Sequence, residues 1–514
     1  MRKFLLLIAV ALFSTATYAQ IEEAWNSSIS AVDVMDAVDF NSPAAMDKDG
    51  NLYVTGTLTQ NFEFAGKDTE VDALGAYIAK YNSNGDELFA ITLHGSISIT
   101  AVTTDADNNF YVAGSFADMA YITGIEGIEG DYETIENSEA DSRTAAFIAK
   151  YDADGNLLAV KSYEAALNMD AYELTNVSVS KIVAENSKIY AQFEYTGDIK
   201  VEENLSLVAK YAFYDFGGWG MAVLTNNVSV ISFDSNLENA VPVASLAIAD
   251  NGDPSTAVRT FNFTVNGDDV YVAAIAMGNL TLTTSEGSET IDFAFDGEGA
   301  AEKGAILSKI GSKSVKYSNI PNSAFANFDA INGIEVRDGK IYLAGTFGVT
   351  CAFDNSKVAT GASDVFVASI DANELTADWV YTNANDEGAT NKYYEEVTGV
   401  AFGKEHVYIV DAVTDMNNNE APVAKNYAVS YTGEAKEAEA IAATAVAYNN
   451  EYVAFINYTD ATYIRVYNEA VTTEIESVAV ETENTVIYDL TGRRVENIAN
   501  AGIYIVNGKK VIVK

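Results

Sequence analysis

The residue types that most often carry catalysis or bind metals are scarce in this sequence. There are two histidines, His94 and His406, and one cysteine, Cys351. Neither histidine lies at metal-ligand spacing from another histidine or from the cysteine, and no G-x-S-x-G segment provides a serine nucleophile. The sequence therefore predicts no catalytic residue, no cofactor and no metal centre, and it predicts that Cys351 is a small buried side chain without a disulfide partner.

Carboxylates are the abundant reactive groups, with 74 Asp and Glu residues in the chain. Asp-rich segments at 47–51, 105–107 and 152–156 look like calcium loops, but a calcium loop needs about six to eight oxygens and a distant bidentate carboxylate. Turn chemistry, in which Asp and Asn cap a turn and Gly takes a positive φ, is the preferred explanation, and calcium stays open. Glycoside hydrolysis needs a pair of carboxylates across a cleft, and the sequence does not single out a pair.

One aromatic segment has the character of a ligand-binding loop. It contains Tyr211, Tyr214, Phe216 and Trp219, with glycines at positions 217 and 218. Aromatic planes beside flexible glycines can stack on sugar rings or form the hot spot of a protein interface. These four residues are the candidate ligand-binding loop. The alternative is an extra hairpin that buries its own aromatic side.

A repeat sets the predicted architecture. The segment at 42–56 recurs at 101–114, 179–193, 261–274, 331–345, 397–411 and 443–456. Each copy has a short apolar strand, a tight turn and a second strand that opens with a tyrosine. The tyrosines are Tyr53, Tyr111, Tyr190, Tyr271, Tyr342, Tyr408 and Tyr452. Seven copies predict seven units.

Each pair of strands is followed by two more. Third strands are predicted at 75–81, 145–151, 228–234, 304–310, 364–370, 426–431 and 462–467, and fourth strands at positions such as 88–95, 157–164 and 377–383. Four antiparallel strands per repeat predict an all-β fold, a β-propeller of seven four-stranded blades. The seventh unit lacks a fourth strand, which 21–30 can supply, closing the ring. Use of 475–480 for that strand, or a ring of six blades, stays open.

Units one and two carry a fuller signature, D-x-D-G-N-x-Y-V-x-G followed by aromatic-x-A-K-Y-D/N-x-x-G. This signature resembles the bacterial seven-bladed propeller repeats known as SBBP (beta-propeller) repeats. The fifth unit matches it in part, and the other four match in outline. The resemblance implies a propeller and leaves activity open, since such propellers serve as scaffolds, adhesion surfaces and enzyme appendages.

Long insertions mark one end of the predicted ring. Loops between second and third strands share a face with the connections between blades, and the tight turns lie on the opposite face. The insertions at 117–143, 196–227 and 276–303 all fall on that first face, which is therefore the predicted binding face. The first insertion carries an acidic cluster, which attracts cations or a basic partner or is only solvated. Its members are Glu126, Glu129, Asp131, Glu133, Glu136, Glu139 and Asp141.

The N-terminus has the pattern of an export signal. Arg2 and Lys3 precede an apolar run at 4–13 and a short run of mostly small residues that ends with Thr17, Tyr18 and Ala19, as in a secretory signal peptide cleaved after Ala19. The run is too short for a transmembrane span, which takes about 20 residues. No such span is expected in the mature chain. The formal net charge of -44 argues against nucleic acid and anionic membranes as partners.

The C-terminal tail differs from the rest of the chain. From position 484 onward it contains two acidic and five basic residues, in contrast to the acidic remainder. A strand, a D-L-T-G turn and two strands joined at Asn507 and Gly508 are predicted, because Asn-Gly is a strong hairpin signal. The matching motif residues are Asp489, Gly492, Arg493, Arg494, Gly502, Tyr504, Gly508 and Lys509.

These motif residues resemble the end of the type IX secretion system C-terminal (Por) sorting domain of Bacteroidota. The resemblance implies that the tail is an address read by the outer-membrane secretion machinery, although this copy is shorter than the usual domain. The predicted organisation is a signal peptide at 1–19, a propeller at 20–474 and a sorting domain at 475–514. The alternative for the tail is a plain C-terminal hairpin.

The sequence therefore predicts a secreted or cell-surface propeller that binds a protein or glycan ligand without catalysis. The alternative is an extracellular carbohydrate-active enzyme with carboxylates at the mouth of the propeller. A close carboxylate pair beside a deep central pocket favours the enzyme. A loop-covered face with exposed aromatics favours binding.

Overall fold

A computed structural model gives the fold. The described residues are 22–29, 43–58, 61–69, 75–130, 132–139, 142–167, 174–215, 220–248, 256–293, 303–320, 329–383, 393–416, 422–437, 443–449, 451–458, 462–469, 487–489, 494–495, 502–506 and 509–513. They form β-strands and one 3-10 turn at Gly127–Glu129. Within these ranges no helix is long and apolar enough to cross a membrane. The chain separates into two compact parts, residues 1–470 and 471–514.

The first part begins with a strand that pairs far along the chain. Three four-stranded units follow, and strand pairing joins them into one continuous 14-stranded sheet. Strand β1 (Glu22–Ile29) comes first. Unit one contains β2 (Ala44–Met46), β3 (Leu52–Leu58), β6 (Gly75–Tyr81) and the start of β7 (Glu87–Thr104), with the hairpin of β4 (Phe62–Phe64) and β5 (Lys67–Thr69) between β3 and β6. Unit two contains the rest of β7, β8 (Phe110–Thr123), β10 (Ser142–Tyr151) and β11 (Leu157–Tyr163), with β9 (Tyr132–Glu136) inserted after β8.

Unit three carries the largest insertion. Strand β12 (Ala165–Ala166) precedes it, and its four strands are β13 (Thr175–Glu185), β14 (Lys188–Tyr195), β19 (Asn227–Asp234) and β20 (Val241–Ile248). Two hairpins lie between β14 and β19. They are formed by β15 (Asp198–Glu202) with β16 (Leu205–Leu207), and by β17 (Tyr211–Asp215) with β18 (Gly220–Leu224).

The next two units each carry one inserted hairpin. Unit four contains β21 (Ala257–Asn266), β22 (Asp269–Met277), β25 (Lys303–Lys309) and β26 (Lys313–Ile320), with β23 (Asn279–Thr284) and β24 (Gly287–Asp292) inserted. Unit five contains β27 (Ala330–Arg337), β28 (Lys340–Phe347), β31 (Asp364–Asp371) and β32 (Ala377–Thr382), with β29 (Thr350–Cys351) and β30 (Asp354–Val358) inserted.

The last two units have no inserted hairpin among the described residues. Unit six contains β33 (Tyr393–Phe402), β34 (His406–Asp415), β35 (Val423–Ser430) and β36 (Ala435–Glu437). Unit seven contains β37 (Ala445–Tyr448), β38 (Tyr452–Tyr458) and β39 (Thr462–Asn468), and β1 pairs antiparallel with β39 from Glu22 opposite Asn468 to Ile29 opposite Thr462. The strand pairs and third strands predicted from the repeat are confirmed, and the fold is an all-β propeller.

Strand β7 serves two units because it bends at Gly95. The part before Gly95 pairs with β6 as the fourth strand of unit one, and the part after it pairs with β8 as the first strand of unit two. Gly95 has a φ of 108°, and a Cβ there would lie 2.5 Å from the backbone oxygen of Met119. Only glycine fits this bend without strain.

Apolar packing joins each unit to the next. Each of the apolar clusters among the described residues is shared by two units that follow one another, as in the cluster that combines Ile91 of unit one with Phe147 of unit two. One further cluster combines Val54 of unit one with Ile456 and Val466 of unit seven. A sheet in this arrangement buries both of its faces, which is why its strands alternate so little between apolar and polar residues.

The residues of the repeat signature lie at these junctions. Tyr53 is fully buried, and its ring centroid is 4.7 Å from that of Phe110 in unit two. Lys80 places its ammonium group 4.9 Å from the Tyr53 ring centroid and donates a 2.7 Å hydrogen bond to the backbone oxygen of Ala153 in the last turn of unit two. Tyr53 and Lys80 therefore hold unit one against unit two.

Polar side chains link the first strands of successive units. Thr104 donates to the Met46 oxygen, Thr100 to the Val179 oxygen, Asn262 to the Asn332 oxygen, Asn332 to the Val397 oxygen and Thr398 to the Ala443 oxygen. Because these acceptors are backbone carbonyls of the neighbouring strand, the hydrogen bonds fix the register between units.

The seventh unit also makes polar contacts with the first. Asn449 donates to the Asp47 backbone oxygen at 3.0 Å, and the Tyr458 hydroxyl donates to the Thr55 oxygen at 2.5 Å. The Tyr77 hydroxyl lies 2.8 Å from the Thr462 hydroxyl in a buried site. These contacts therefore join the two ends of the first part of the chain.

The second part is a small sheet of its own. Strands β40 (Ile487–Asp489), β41 (Arg494–Val495), β42 (Gly502–Val506) and β43 (Lys509–Val513) form a four-stranded sheet in the order β41-β40-β42-β43. Val506 pairs with Lys509, so β42 and β43 are paired as the sequence predicts, and the predicted turn at positions 507 and 508 lies outside the described residues. Asp489, Arg494, Gly502, Tyr504 and Lys509 lie in strands, whereas Gly492, Arg493 and Gly508 lie outside the described residues.

Candidate functional site

The antiparallel order of the strands defines two faces of the propeller. The connections between second and third strands and those between units leave the sheets at one end, the first face. The tight turns that begin at Asp47, Asp105 and Asp152 lie at the other end, the second face. Sites on the two faces therefore use different parts of the repeat.

The turns of the second face show the expected capping chemistry. The Asp47 carboxylate accepts hydrogen bonds from the backbone amides of Asp49 and Asn51, and Asp105 and Asp152 accept from the equivalent amides of their turns. Gly50 takes a φ of 82°. Within the described ranges no group of three or more His, Cys, Asp or Glu side chains is placed to hold a metal ion. These carboxylates are occupied in forming turns.

The candidate aromatic loop is part of a hairpin. Tyr211 pairs with Leu224, and its ring is 5% exposed within the apolar cluster shared by units two and three. A buried ring offers no face to a ligand, so Tyr211 packs rather than binds. The backbone of Tyr214 pairs with that of Met221, whereas Phe216 and Trp219 lie outside the described residues. For these three the binding role stays a prediction.

The long insertions pack against the outer strands of neighbouring units. In unit two the end of β8 pairs with β7 at His94 and Gly95. In unit three β15 pairs with β12. In unit four β23 pairs with β20, the outer strand of unit three. Blades diverge away from the axis of a propeller, and these hairpins fill the space that opens between them. The insertions leave their sheets at the first face, as predicted, but they pack along the outer edge.

An open crevice on the first face lies between units one and two. Its volume is about 260 Å³. Its lining is dominated by small and hydroxylated side chains from β3, β6, β7, β8 and β10, namely Thr57, Gly75, Ser96, Ile97, Ser98, Ser115, Phe116, Ala117 and Thr144. Sequence reasoning missed this site because no member of it stands out by residue type.

The hydroxyl groups of the crevice are available to a ligand. Ser98 and Ser115 lie opposite each other on β7 and β8, and Thr57 and Ser96 are exposed. Within the described part of the chain, the hydroxyls of these four residues have no hydrogen-bond partner. A hydroxyl both donates and accepts, so this set suits a neutral ligand rich in hydroxyl groups.

Glycines bring the strands close enough to form the crevice. A Cβ at Gly114 would lie 1.9 Å from the Ser98 backbone oxygen, and a Cβ at Gly75 would lie 2.3 Å from the Leu93 oxygen. Both positions therefore exclude larger side chains. Because these glycines and the serines have small side chains or none, space is left between units one and two, which are otherwise tightly packed.

A buried carboxylate cluster lies between units five and six near the same face. Asp411 is 0% exposed, Glu395 is 7% exposed and Asp364 is 4% exposed. Neither carboxylate oxygen of Asp411 has a hydrogen-bond partner in the described structure. Glu395 accepts a 2.6 Å hydrogen bond from the Asn383 side chain, and Lys425 lies opposite Asp411 on the adjacent strand.

Burial governs the acidity of this cluster. It raises the pKa of Asp411, the negative charge of Glu395 raises it further, and Lys425 opposes the shift. The pKa of Glu395 is raised for the same reason, with Asp364 adding to it. Two close carboxyl groups in a site of low polarity hold protons to higher pH than exposed ones do. Sequence reasoning missed this pair because its members come from different strands.

A polar cluster on the inner strands is internally paired. Glu335 accepts a 2.6 Å hydrogen bond from the Tyr448 hydroxyl and a 2.8 Å hydrogen bond from Arg337. Lys181 donates to the Asn262 side chain at 2.5 Å, and burial lowers its pKa to about 8. Because these groups already have protein partners, the cluster stabilises the inner ring of strands rather than offering a reactive group.

The two histidines and the cysteine have structural surroundings. His94 Nε2 lies 3.2 Å from the Thr92 hydroxyl, and His406 Nδ1 lies 3.7 Å from a Glu469 oxygen. Cys351 is fully buried, as predicted, and burial raises its pKa to about 12. The thiol is therefore un-ionised and unreactive at neutral pH.

Comparison with known proteins gives one partial relative. No protein-family model matches the chain. A segment of 134 residues is 30% identical to an uncharacterized WD repeat-containing protein, L264, of Acanthamoeba polyphaga mimivirus, which corresponds to 22% of this chain. The match spans 9% of that relative's length.

Solved propeller structures are similar only in outline. The β-propeller domain of Cps50 (Swd1) from Myceliophteria thermophila is 10% identical, with 82% of this chain and 95% of that one covered at a TM-score of 0.37. The Dos1 propeller is 9% identical, with coverages of 84% and 94% and a TM-score of 0.35. The quinohemoprotein alcohol dehydrogenase ADHIIG from Pseudomonas putida HK5 is 10% identical, with coverages of 89% and 78% and a TM-score of 0.35. Such low scores carry no functional argument, so the sheet topology of the chain itself identifies it as a β-propeller repeat protein.

Proposed function

We propose that this chain is a non-enzymatic binding or scaffold protein of the cell exterior, in which seven blades form a closed ring. Its ligand is a neutral glycan, or a glycan-bearing protein, that contacts the first face. The observation that carries the proposal is the crevice of about 260 Å³ with four hydroxyls that lack protein partners. The strongly acidic composition supports a neutral ligand over a polyanion.

The crevice favours a sugar for chemical reasons. Its hydroxyls on Thr57, Ser98 and Ser115 can exchange hydrogen bonds with sugar hydroxyls, and Ile97 and Phe116 add apolar surface. Its volume lies just below the range of about 300–1,000 Å³ that is usual for sites that enclose a whole ligand. A single ring of a longer glycan therefore fits this site better than a complete oligosaccharide does.

The proposed location rests on the two ends of the chain. The segment at 1–19 has the pattern of a signal peptide, and the tail resembles a type IX sorting domain that the outer-membrane secretion machinery would read. The cleavage site after Ala19 lies outside the described residues. The SBBP-type repeat and the Bacteroidota origin are likewise proposals supported by motif resemblance.

The rival function is an extracellular carbohydrate-active enzyme. The pair Glu395 and Asp411 favours it, because glycoside hydrolysis uses two nearby carboxyl groups, one of which keeps its proton through a raised pKa and acts as general acid. Against it stands the complete burial of Asp411, which keeps this group from any sugar. The pair is therefore better explained as a buried structural feature between two blades.

Export makes a direct prediction about the ends of the mature protein. In the native bacterium, we expect N-terminal sequencing of the extracellular protein to begin at Gln20. A variant that lacks 484–514 should stay inside the outer membrane, because the proposed address is missing. Extracellular delivery of that variant at the normal level would contradict the sorting role of the tail.

Glycan binding predicts a specific loss on removal of crevice hydroxyls. The wild-type chain should bind members of a neutral glycan array, and the S98A/S115A double variant should bind the best of them about tenfold more weakly by calorimetry. The reason is the loss of hydrogen bonds, each contributing about 0.5–1.5 kcal/mol. Thr57→Val removes a further hydroxyl with little change in shape.

The matched control for Thr57→Val is Thr290→Val, which changes an exposed threonine on the hairpin of unit four and should bind like the wild type. Absence of glycan binding by the wild type, or equal binding by the crevice variants, would reject the proposed ligand. Hydrolysis of a glycan by the wild type and not by Glu395→Gln would favour the enzyme.

The buried carboxylates predict a pH dependence of stability. The folded-state pKa of Asp411 is raised. The contribution of this group to the free energy of unfolding is therefore complete below the ordinary pKa of about 4, and it is lost as the pH rises through the raised value. Asp411→Asn keeps the neutral form, so it should stabilise the protein by about 1–3 kcal/mol at pH 9 and change stability little below about pH 4. Urea unfolding at several pH values measures this difference.

The exposed Glu396→Gln on the neighbouring strand is the control and should leave the pH profile unchanged. A loss of stability by Asp411→Asn that grows as the pH rises would show that the carboxylate is needed in its charged form, and it would contradict the raised pKa.

A further inference from the structure

A groove of about 500 Å³ runs along the outer strand of unit one. Its floor is 88–92 of β7. One wall is the hairpin of β4 and β5, at Phe64, Ala65 and Lys67, and the other is 124–129 next to the 3-10 turn. This groove lies at the edge of the propeller, away from the crevice of the first face.

The floor of the groove contains an unpaired strand edge. The part of β7 from Glu87 to Leu93 pairs with β6 on one side, and in the described structure its other edge pairs with no strand until His94 meets Tyr121. On that edge the Thr92 backbone oxygen accepts a 2.6 Å hydrogen bond from the Thr123 hydroxyl. Within the described residues, the backbone groups of the edge before Thr92 have no strand partner and are ready to pair with another strand.

The groove also exposes apolar side chains. Leu88 is 44% exposed on the floor, and Ile128 is 42% exposed on one wall. Phe89 and Ile91 of the same strand are buried, so the side of the groove next to unit two is firmly packed. Large apolar side chains on both sides of a strand edge favour a partner that brings apolar side chains of its own.

The equivalent position between units three and four is already filled. There β23 lies antiparallel to the outer strand β20, with Ile248 opposite Leu280 and Leu246 opposite Leu282. Leu280 is 0% exposed and Leu282 is 2% exposed. The protein itself thus shows which occupant suits the edge of an outer strand, namely an antiparallel strand with apolar residues at alternate positions.

The charge of the groove selects among such strands. Glu126 and Glu129 are exposed on one wall, opposite a single cation, Lys67, among the described lining residues. The chain as a whole is strongly acidic. A segment that carries lysine or arginine beside its apolar residues is therefore attracted, and an acidic one is repelled.

We propose that this groove binds an extended segment of a partner protein, which pairs with 88–92 as an added antiparallel strand. The segment has apolar residues at alternate positions and at least one basic residue that faces Glu126 or Glu129. This site is separate from the glycan crevice and does not depend on it.

The test is selection of a random peptide display library on the purified protein. We expect enrichment of sequences with alternating apolar residues and a lysine or arginine. Synthetic copies of the enriched peptides should bind Leu88→Lys and Ile128→Lys about tenfold or more weakly, because the lysine removes apolar contact surface and its charge repels the basic residue of the peptide. Glu126→Lys should weaken binding of the basic peptides in the same assay.

Leu158→Lys is the matched control, since Leu158 is 52% exposed on β11, the outer strand of unit two. It should bind the peptides like the wild type. Backbone pairing is read separately by amide hydrogen exchange, in which peptide binding should protect 88–92. Failure to enrich any such sequence, peptides that bind Leu88→Lys undiminished, or binding without protection of 88–92 would each overturn the proposal. None of these results bears on glycan binding.

Discussion

The burial of both faces of every sheet is the constraint on which this structure depends. Each unit presents apolar side chains to the unit before it and to the unit after it, so the first and last units need one another. The contacts between Val54 and Ile456, and between the hydroxyls of Tyr77 and Thr462, meet this need across a sequence separation of several hundred residues. Without them one apolar face of each terminal unit would be left in water.

The same constraint decides where the protein has room for function. The junctions are filled with large side chains such as Tyr53 and Phe110, and the inner strands are tied by hydrogen bonds to neighbouring carbonyls. Space remains where side chains are small, as at Ser98 and Ser115, or where a hairpin leaves part of an outer strand uncovered. Both proposed sites are therefore gaps in a tightly packed frame.

The sequence predicts the strands well because the same short pattern recurs along the chain. The tyrosine that opens each second strand and the apolar third strand that follows it mark the position of the strands in every unit. The placement of inserted hairpins is not local. Pairing of Leu280 with Ile248, burial of Tyr211 and the meeting of Asp411 with Glu395 depend on which units lie side by side and on how far each hairpin reaches. Composition and spacing carry little information about such contacts.

The most direct test of this account is amide hydrogen exchange of β1 compared with β38 in the native protein. If the N-terminal strand is an integral part of the last unit, the amides from Trp25 to Ile29 should exchange only through global unfolding, as slowly as those of Val453 to Ile456. Exchange of the β1 amides that is orders of magnitude faster than that of β38 would show that the strand frays independently, and it would contradict closure of the ring by the N-terminus.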